Sequence, residues 1–208
     1  MRQIGFVEYD AGLTILARTA EEVRGGDLCG ILLVLRHPKT ITLGRRTEPG
    51  ELHGDARSLQ GLGIGLCRVE RGGGATYHYP EQAVVYPVVS LSRCRLDLDR
   101  LIGLLGSAVL SVLEADGVKA QWDPERPGVY VDGAKIASVG LHLSRDVVTH
   151  GVALNVGPDV SGFDHIDPCK ERGLKVTSLS HLVDDPPDPD AVGAAVARQF
   201  IFQLLDRP

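Results

Sequence analysis

Three segments of the chain contain residue types that could carry out covalent chemistry. The first is the glycine-rich stretch RGGGATYH, from Arg71 to His78, which follows a predicted strand that ends at Glu70. Consecutive glycines let the backbone lie against a ligand and point amide N–H groups at an acyl carbonyl or a phosphate. The stretch lacks the Lys and Ser/Thr of a P-loop, so it does not indicate a nucleotide site. A plain flexible turn is the alternative interpretation.

The second segment is centred on Lys135, at the start of an apolar strand just past a predicted hairpin turn. Side chains alternate between the faces of a strand, so Lys135 shares a face with Ala137 and Val139. A charged amine beside small apolar groups needs a partner. The alternative is a lysine at the end of a strand whose amine reaches solvent.

The third segment is a polar loop that contains Cys169. This cysteine follows Pro168 and adjoins Lys170, and a neighbouring positive charge lowers the pKa of a thiol from about 8.5 toward neutrality. The nucleophilic thiolate would then be available near pH 7. An incidental loop cysteine is equally compatible with the sequence.

Local patterns predict the elements that position these segments. Four helices are predicted: Asp10 to Gly25, Asp97 or Asp99 to Gly117, a short one near Ser178, and about Asp188 to Leu205. Asp10 would cap the first of these helices, and Pro189 would occupy the first position of the last. The predicted strands are 31–36, 40–44, 64–70, 83–91, 128–131, 135–143 and 147–156, with the hairpin turn at Asp132-Gly133. Strands mostly follow strands, which predicts an α+β fold with an antiparallel or mixed sheet rather than a doubly wound one.

Composition places the chain among ordinary globular proteins, with 208 residues, 43% hydrophobic and 24% charged. We expect one domain over residues 1–208, because no repeat or linker interrupts it. A net charge of −5 argues against a general binder of nucleic acid or anionic membranes. No apolar run approaches the roughly 18 residues of a membrane span and the N-terminus lacks a signal core, so we expect a soluble protein in the reducing cytoplasm.

The four cysteines are Cys29, Cys67, Cys94 and Cys169. They form no CxxC pair, which excludes a zinc ribbon and a dithiol redox motif, and a disulfide scaffold does not fit either. The first three lie in or beside apolar stretches. We therefore expect them to be buried, inert thiols.

Taken in order, the segments resemble the octanoyl-[acyl-carrier-protein]:protein N-octanoyltransferases. The resemblance covers nearly the whole chain. It is carried by HPKTITLGR from His37 to Arg45, by RGGGATYH, by GVYVDGAKIASVGL, by THGVALNV and by the loop of Cys169. It implies a fold like the biotin/lipoate ligase catalytic domain, a mixed sheet flanked by helices, with the acyl chain in a tunnel.

The resemblance also implies the roles of individual residues. Cys169 matches the cysteine that accepts the acyl group, and Lys135 matches the lysine paired with it. The implied substrate-binding residues are Arg71, Gly72, Gly73, Gly74, Ala75, Thr76, Tyr77, His78, Ser138, Val139, Gly140, Gly151, Val152 and Ala153.

The implied reaction is the first step of endogenous protein lipoylation. An octanoyl or lipoyl group passes from acyl carrier protein to Cys169 and then to a lysine of a lipoyl domain, in the E2 subunits of 2-oxoacid dehydrogenases or in the glycine cleavage H protein. No metal or cofactor is implied, because a thioester is already activated. We expect a monomer that binds neither nucleic acid nor membrane. Acyl carrier proteins are acidic, so docking should use a local cationic cluster, for which the candidates are Arg36, Lys39, Arg45, Arg46 and Arg71.

Three positions depart from the family pattern. Tyr79 and Glu81 replace the glycines of the usual HGPGQ, which predicts a reshaped or narrower acyl site, because neither side chain readily adopts the positive φ of glycine. Lys170 replaces a glycine after the cysteine. Two other functions stay open: an ATP-dependent lipoate or biotin protein ligase, and a non-catalytic module that binds lipoyl domains or acyl carriers.

Overall fold

The computed structural model describes residues 1–168 and 172–206. The strands are β1 (Arg2–Phe6), β2 (Gly30–Arg36), β3 (Thr40–Leu43), β4 (Gly65–Arg68), β5 (Ala75–His78), β6 (Gln82–Ser90), β7 (Gln121–Asp123), β8 (Gly128–Val131), β9 (Ala134–Ser144) and β10 (Val147–Asn155). They form a seven-stranded sheet in the order β1-β2-β6-β10-β9-β8-β7 and a three-stranded sheet in the order β4-β3-β5. The pairs β1–β2 and β3–β4 are parallel and the others are antiparallel, so the predicted mixed sheet is confirmed.

Helices cover both faces of the larger sheet. They are α1 (Tyr9–Gly25), α2 (Ala56–Gly61), α3 (Leu91–Cys94), α4 (Leu98–Ala115) and α5 (Pro189–Leu205), with short 3₁₀ helices at Ser161–His165 and Leu179–His181. The alternate side chains of β2 and β6 divide the core: one set packs with α4 and α5, and the other packs with α1. Within the described ranges, no helix has both the length and the apolar composition needed to cross a bilayer.

The predicted helix starts are confirmed at two of the three long helices. Asp97 accepts a hydrogen bond from the backbone N–H of Arg100 and begins α4, and Asp188 caps α5 with Pro189 in its first turn. The prediction for Asp10 was wrong. α1 begins one residue earlier, at Tyr9, whose buried ring packs on His37, so Asp10 lies inside the first turn. A carboxylate there still interacts favourably with the helix dipole.

Several short elements lacked a sequence signal. β1 is largely exposed, and β7 and α3 are only three and four residues long, so none of them shows a repeating apolar pattern. β5 is the more informative case, because it occupies the second half of the glycine-rich stretch. Only Arg71 to Gly74 forms a loop, which we call the glycine loop. The predicted hairpin turn at Asp132-Gly133 is confirmed, and both residues have positive φ, of 48° and 80°.

The expectation of inert thiols at Cys29 and Cys94 was wrong, because the two form a disulfide. The turn of α3 after β6 carries Cys94 back to the start of β2, where the N–H of Ser90 already bonds to the carbonyl of Cys29 at 2.9 Å. The two Cα atoms are 5.2 Å apart, within the usual range for a disulfide. Cys67 is a free, half-buried thiol.

Candidate active site

A pocket of about 60 Å³ lies where the small sheet meets β9 and β10 of the large sheet. Lys135 and all the implied substrate-binding residues except Tyr77 line it. Four further lining residues were not among the predicted site residues: Tyr9, Tyr86, His150 and Pro168. The fold thus brings together segments that the sequence could only place in order.

Arg71 holds the glycine loop from the inside. Its guanidinium, only 7% exposed, donates to the carbonyl oxygen of Thr42 at 2.7 Å and to that of Gly74 at 2.8 Å. The N–H of Gly72 donates across the pocket edge to Leu141 of β9 at 2.8 Å. Arg71 is therefore buried within the fold, and its assignment to a cationic docking surface was wrong.

Glu51 holds the same loop from the other side. This carboxylate is 5% exposed and accepts from the N–H of Ala75 at 2.9 Å and from the N–H of Glu48 at 2.6 Å. A Cβ on Gly74 would lie 2.1 Å from Oε2 of Glu51, so the contact requires glycine there. The backbone oxygen of Glu51 accepts from the N–H of Asp167 at 2.8 Å. One residue thus braces both the glycine loop and the segment that precedes Cys169.

Lys135 is 2% exposed, so the alternative of a lysine that reaches solvent is excluded. Its Nζ lies 5.4 Å from the ring centroid of Tyr130, a cation–π contact. Its backbone pairs with the segment that follows the described gap, donating to Lys175 at 2.8 Å and accepting from Thr177 at 2.9 Å. A Cβ on Gly128 would be 2.6 Å from Cε of Lys135, so glycine leaves room for the amine.

Cys169 and Lys170 lie outside the described residues. The residue before them, Pro168, lines the pocket. Asp167 is anchored by the backbone of Glu51, and its carboxylate lies 3.2 Å from Nε2 of His53. The pKa of His53 is raised, first by its bond to the Asp164 carbonyl and then by Asp167.

Tyr77 points away from the pocket, because successive side chains of β5 alternate. Its ring stacks on Tyr79 at 5.6 Å and meets the edge of Phe163 at 5.5 Å, in the core of the small sheet. The hydroxyl of Tyr79 donates to the carbonyl of Gly157 at 3.1 Å. Neither Tyr79 nor Glu81 has a positive φ or belongs to the described lining. The prediction that these two replacements reshape the acyl site is therefore not supported.

One end of the pocket is closed by a set of aromatic rings, which we call the aromatic wall: Tyr9, His78, Tyr86 and His150. His37 supports it from behind. Its Nδ1 lies 3.0 Å from the carbonyl oxygen of Val7 and so donates; its Nε2 therefore accepts from the hydroxyl of Tyr86 at 3.1 Å.

Burial lowers the pKa of His37 to about 4 and that of His150 to about 3, and it holds the pKa of His78 well below its usual value. All three imidazoles are neutral near pH 7.

The other predicted docking cations differ in availability. Arg36 pairs with Asp190 at 2.8 Å and Lys39 pairs with Asp159 at 2.6 Å. Arg45 and Arg46 are exposed, and their backbone N–H groups bond to the glycine-loop carbonyls of Arg71 and Gly73. Of the predicted docking cations, Arg45 and Arg46 therefore carry the exposed positive charge next to the pocket.

Comparison with known proteins identifies the class of protein to which this fold and pocket belong. The family model described as the lipoyl protein ligase A/B catalytic domain matches residues 10–201. An octanoyltransferase from Methylococcus capsulatus is 37% identical over 211 residues, covering 99% of this chain and 96% of the relative. The chain belongs to the lipoyl protein ligase A/B catalytic-domain family. Within it the chain is an acyltransferase, since its curated relatives are named octanoyltransferases.

Solved structures support the fold. The crystal structure of lipoate-protein ligase A bound with ATP has a TM-score of 0.75 at 21% identity and covers 98% of this chain and 85% of that chain. The biotin protein ligase from Aquifex aeolicus in complex with biotin and ATP has a TM-score of 0.58 at 16% identity, covering 98% of this chain and 70% of that chain. The predicted likeness to biotin/lipoate ligase catalytic domains is confirmed.

Proposed function

We propose that the chain transfers an octanoyl or lipoyl group from acyl carrier protein to a lysine of a lipoyl domain, through an acyl thioester on Cys169. The observation that carries this proposal is the burial of Lys135 in one pocket with the glycine loop and Pro168, the residue before Cys169. The name shared by the curated relatives supports octanoyl as the acyl group.

In the first half-reaction, the thiolate of Cys169 attacks the carbonyl carbon of the carrier thioester. A new C–S bond forms, the bond to the carrier sulfur breaks, and the carrier leaves as a thiolate that takes a proton. The ammonium of Lys135 favours the thiolate form of Cys169 and is the proton donor to the leaving sulfur.

In the second half-reaction, the amine of the acceptor lysine attacks the acyl-enzyme thioester. The C–N bond forms, the C–S bond to Cys169 breaks, and the amine proton passes to Lys135. The negative charge on the acyl oxygen needs hydrogen-bond donors in both steps. The N–H groups of Gly72 and Ala75 are already bonded to Leu141 and Glu51, so of the described glycine loop we assign this role to the amides of Gly73 and Gly74.

We propose as partners an acyl carrier protein donor and the lipoyl domains of E2 subunits or the H protein as acceptors. Arg45 and Arg46 offer exposed positive charge near the pocket for the acidic carrier. We further propose that a single domain over residues 1–208 acts as a monomer in the cytoplasm and needs no cofactor.

Intact mass spectrometry after mixing the protein with octanoyl-acyl carrier protein tests the mechanism. We expect a covalent, hydroxylamine-sensitive octanoyl adduct that is absent from Cys169→Ala. The adduct should be present in Cys67→Ala, the matched control, which removes a free thiol outside the pocket lining. An unmodified wild-type protein would overturn the proposal. Robust pyrophosphate exchange with ATP and lipoate would favour the ligase alternative instead.

A further inference from the structure

The pocket extends from Lys135 toward the aromatic wall. Lys135 lies at the start of β9, and His150 of β10 pairs with Leu141, six positions further along the same strand. At a rise of about 3.3 Å per residue, the two backbone positions are about 20 Å apart. A Cβ on Gly128, which pairs with Ser138, would lie 2.6 Å from Cε of Lys135, so the amine extends along β9 toward Ser138. The three residues from there to Leu141 span about 10 Å, close to the length of an extended octanoyl chain. An acyl chain whose carbonyl lies near this amine therefore points its tail at the wall.

Two polar atoms in this wall have no normal hydrogen bond. Among the described residues, neither Nε2 of His150 nor the hydroxyl of Tyr9 has a partner of acceptable geometry, and the two side chains are only 6% and 5% exposed. Tyr86 and Thr42 are near enough to the Tyr9 hydroxyl to influence the pKa of Tyr9, but neither contact has the geometry of a hydrogen bond. A buried polar group left without a hydrogen bond destabilises the folded protein. Such atoms are rare in native proteins and need an explanation.

His150 is also held in a sparsely populated conformation. Its φ is +61°, in the left-handed region. The next residue, Gly151, cannot be replaced without a shift, because a Cβ there would lie 2.0 Å from the carbonyl oxygen of Val85. The imidazole meets the ring of Tyr86 at 5.8 Å, and Tyr86 is bonded to His37. Backbone strain of this kind persists where the surroundings over-determine it, and it clusters at ligand sites.

We infer that the aromatic wall is a hydrogen-bonding subsite for a hydroxyl group near the tail of the acyl chain, so that ω-hydroxylated medium-chain acyl groups are substrates. The inference rests on the proposed function and deepens it. A hydroxyl both donates and accepts, so it pairs with Nε2 of His150 in either neutral tautomer and also with the Tyr9 hydroxyl. A terminal methyl group would leave both atoms unpaired.

The test compares octanoyl and 8-hydroxyoctanoyl thioesters of the acyl carrier protein by kcat/KM. We expect the wild-type protein to use the hydroxylated donor at least as well as octanoyl. Tyr9→Phe should lower the ratio of kcat/KM for the hydroxylated donor to kcat/KM for the octanoyl donor about tenfold, because one hydrogen bond to the hydroxyl is lost. His150→Asn, which tolerates the left-handed backbone, should lower it similarly. The matched control Tyr79→Phe removes a buried hydroxyl away from the pocket and should leave the ratio unchanged.

Two results would overturn the inference: a wild-type preference for octanoyl of about tenfold or more, or an unchanged ratio in both wall variants. Calorimetry with free octanoate and 8-hydroxyoctanoate gives a readout that needs no chemistry. If the wild-type protein forms no acyl adduct from either donor, the proposed function fails. Tighter binding of 8-hydroxyoctanoate than of octanoate would then still support the subsite, and equal or weaker binding would refute it.

Discussion

The contact between Glu51 and Gly74 can be tested by a double-mutant cycle. In Glu51→Ala, the N–H groups of Ala75 and Glu48 lose a buried carboxylate acceptor. Hydrogen bonds to charged groups contribute about 1.5–3 kcal/mol each, so this variant should lose about 3–6 kcal/mol of unfolding free energy. That is a large part of the 5–15 kcal/mol typical of a folded protein.

Gly74→Ala should have a similar cost for a different reason. The new Cβ would lie 2.1 Å from Oε2 of Glu51, so the carboxylate must move and give up the same two bonds. The φ of Gly74 is not in the left-handed region, so the backbone itself accepts alanine. In the double variant the carboxylate is gone and the methyl group enters the space it left. The double variant should therefore be about as stable as Glu51→Ala alone, with a coupling of about 3 kcal/mol or more.

Urea unfolding of the four proteins measures this coupling, with acyl transfer rates as a second readout. Gly103→Ala, in α4, is the matched control, since nothing lies within 4 Å of its Cβ. It should be neutral or stabilise the protein by up to about 1 kcal/mol, because alanine favours helix more than glycine. Additive losses in the double variant would refute the assigned contact between the carboxylate and the loop.

Three further outcomes are expected. Lys135→Ala should move the alkylation midpoint of Cys169 upward by about 1–3 pH units, because a nearby positive charge favours the thiolate. Reduction of the Cys29–Cys94 disulfide, which spans 65 positions, should cost about 4 kcal/mol by loop-closure entropy and lower Tm by about 10 °C. Burial lowers the pKa of His150 from 6.5 to about 3, so the unfolded chain binds a proton that the folded one does not. Stability should therefore fall by about 1.4 kcal/mol per pH unit below 6.5, and His150→Asn should remove that part of the slope.

Each of these outcomes has a control. Lys119→Ala changes an exposed lysine and should leave the pH dependence of Cys169 alkylation as it is in the wild type. If Lys135→Ala also shows the wild-type pH dependence, the pairing of Lys135 with Cys169 is refuted. In Cys67→Ser, reductant should lower Tm by as much as in the wild type. A wild-type Tm that does not change on addition of reductant would contradict the disulfide. Identical pH slopes for wild type and His150→Asn would show that this imidazole already binds protons in the folded state.

Regular elements were predictable because burial imposes a period on the sequence. The α4 residues Leu101, Leu105 and Val112 lie on one face as their spacing predicts, and the nine-residue strands β6 and β10 follow their apolar runs. The glycine-rich stretch was predicted as a unit, whereas its second half is strand. Its pairing with β3 is a tertiary contact that no local pattern records.

Side chains that break the usual rules were not predictable. Carboxylates are rarely buried, so nothing in the sequence marks Glu51 as the brace of the loop. The sequence left Lys135 with two alternatives, and only the packing of Gly128 and Tyr130 against it decides between them. The pairing of Cys29 with Cys94 depends on a four-residue helix that has no signature of its own.

The position of the pocket between two sheets has a consequence for how it opens. Its glycine-loop side belongs to the small sheet, its β9 and β10 side belongs to the large sheet, and the bond from Gly72 to Leu141 joins them. Separation of the two sheets on this side of the pocket would break that bond and leave every ladder within each sheet intact. Such sub-global opening has a lower free energy than global unfolding. Protection of the Gly72 amide against hydrogen exchange would report such opening directly, through the one proton that joins the glycine loop to β9.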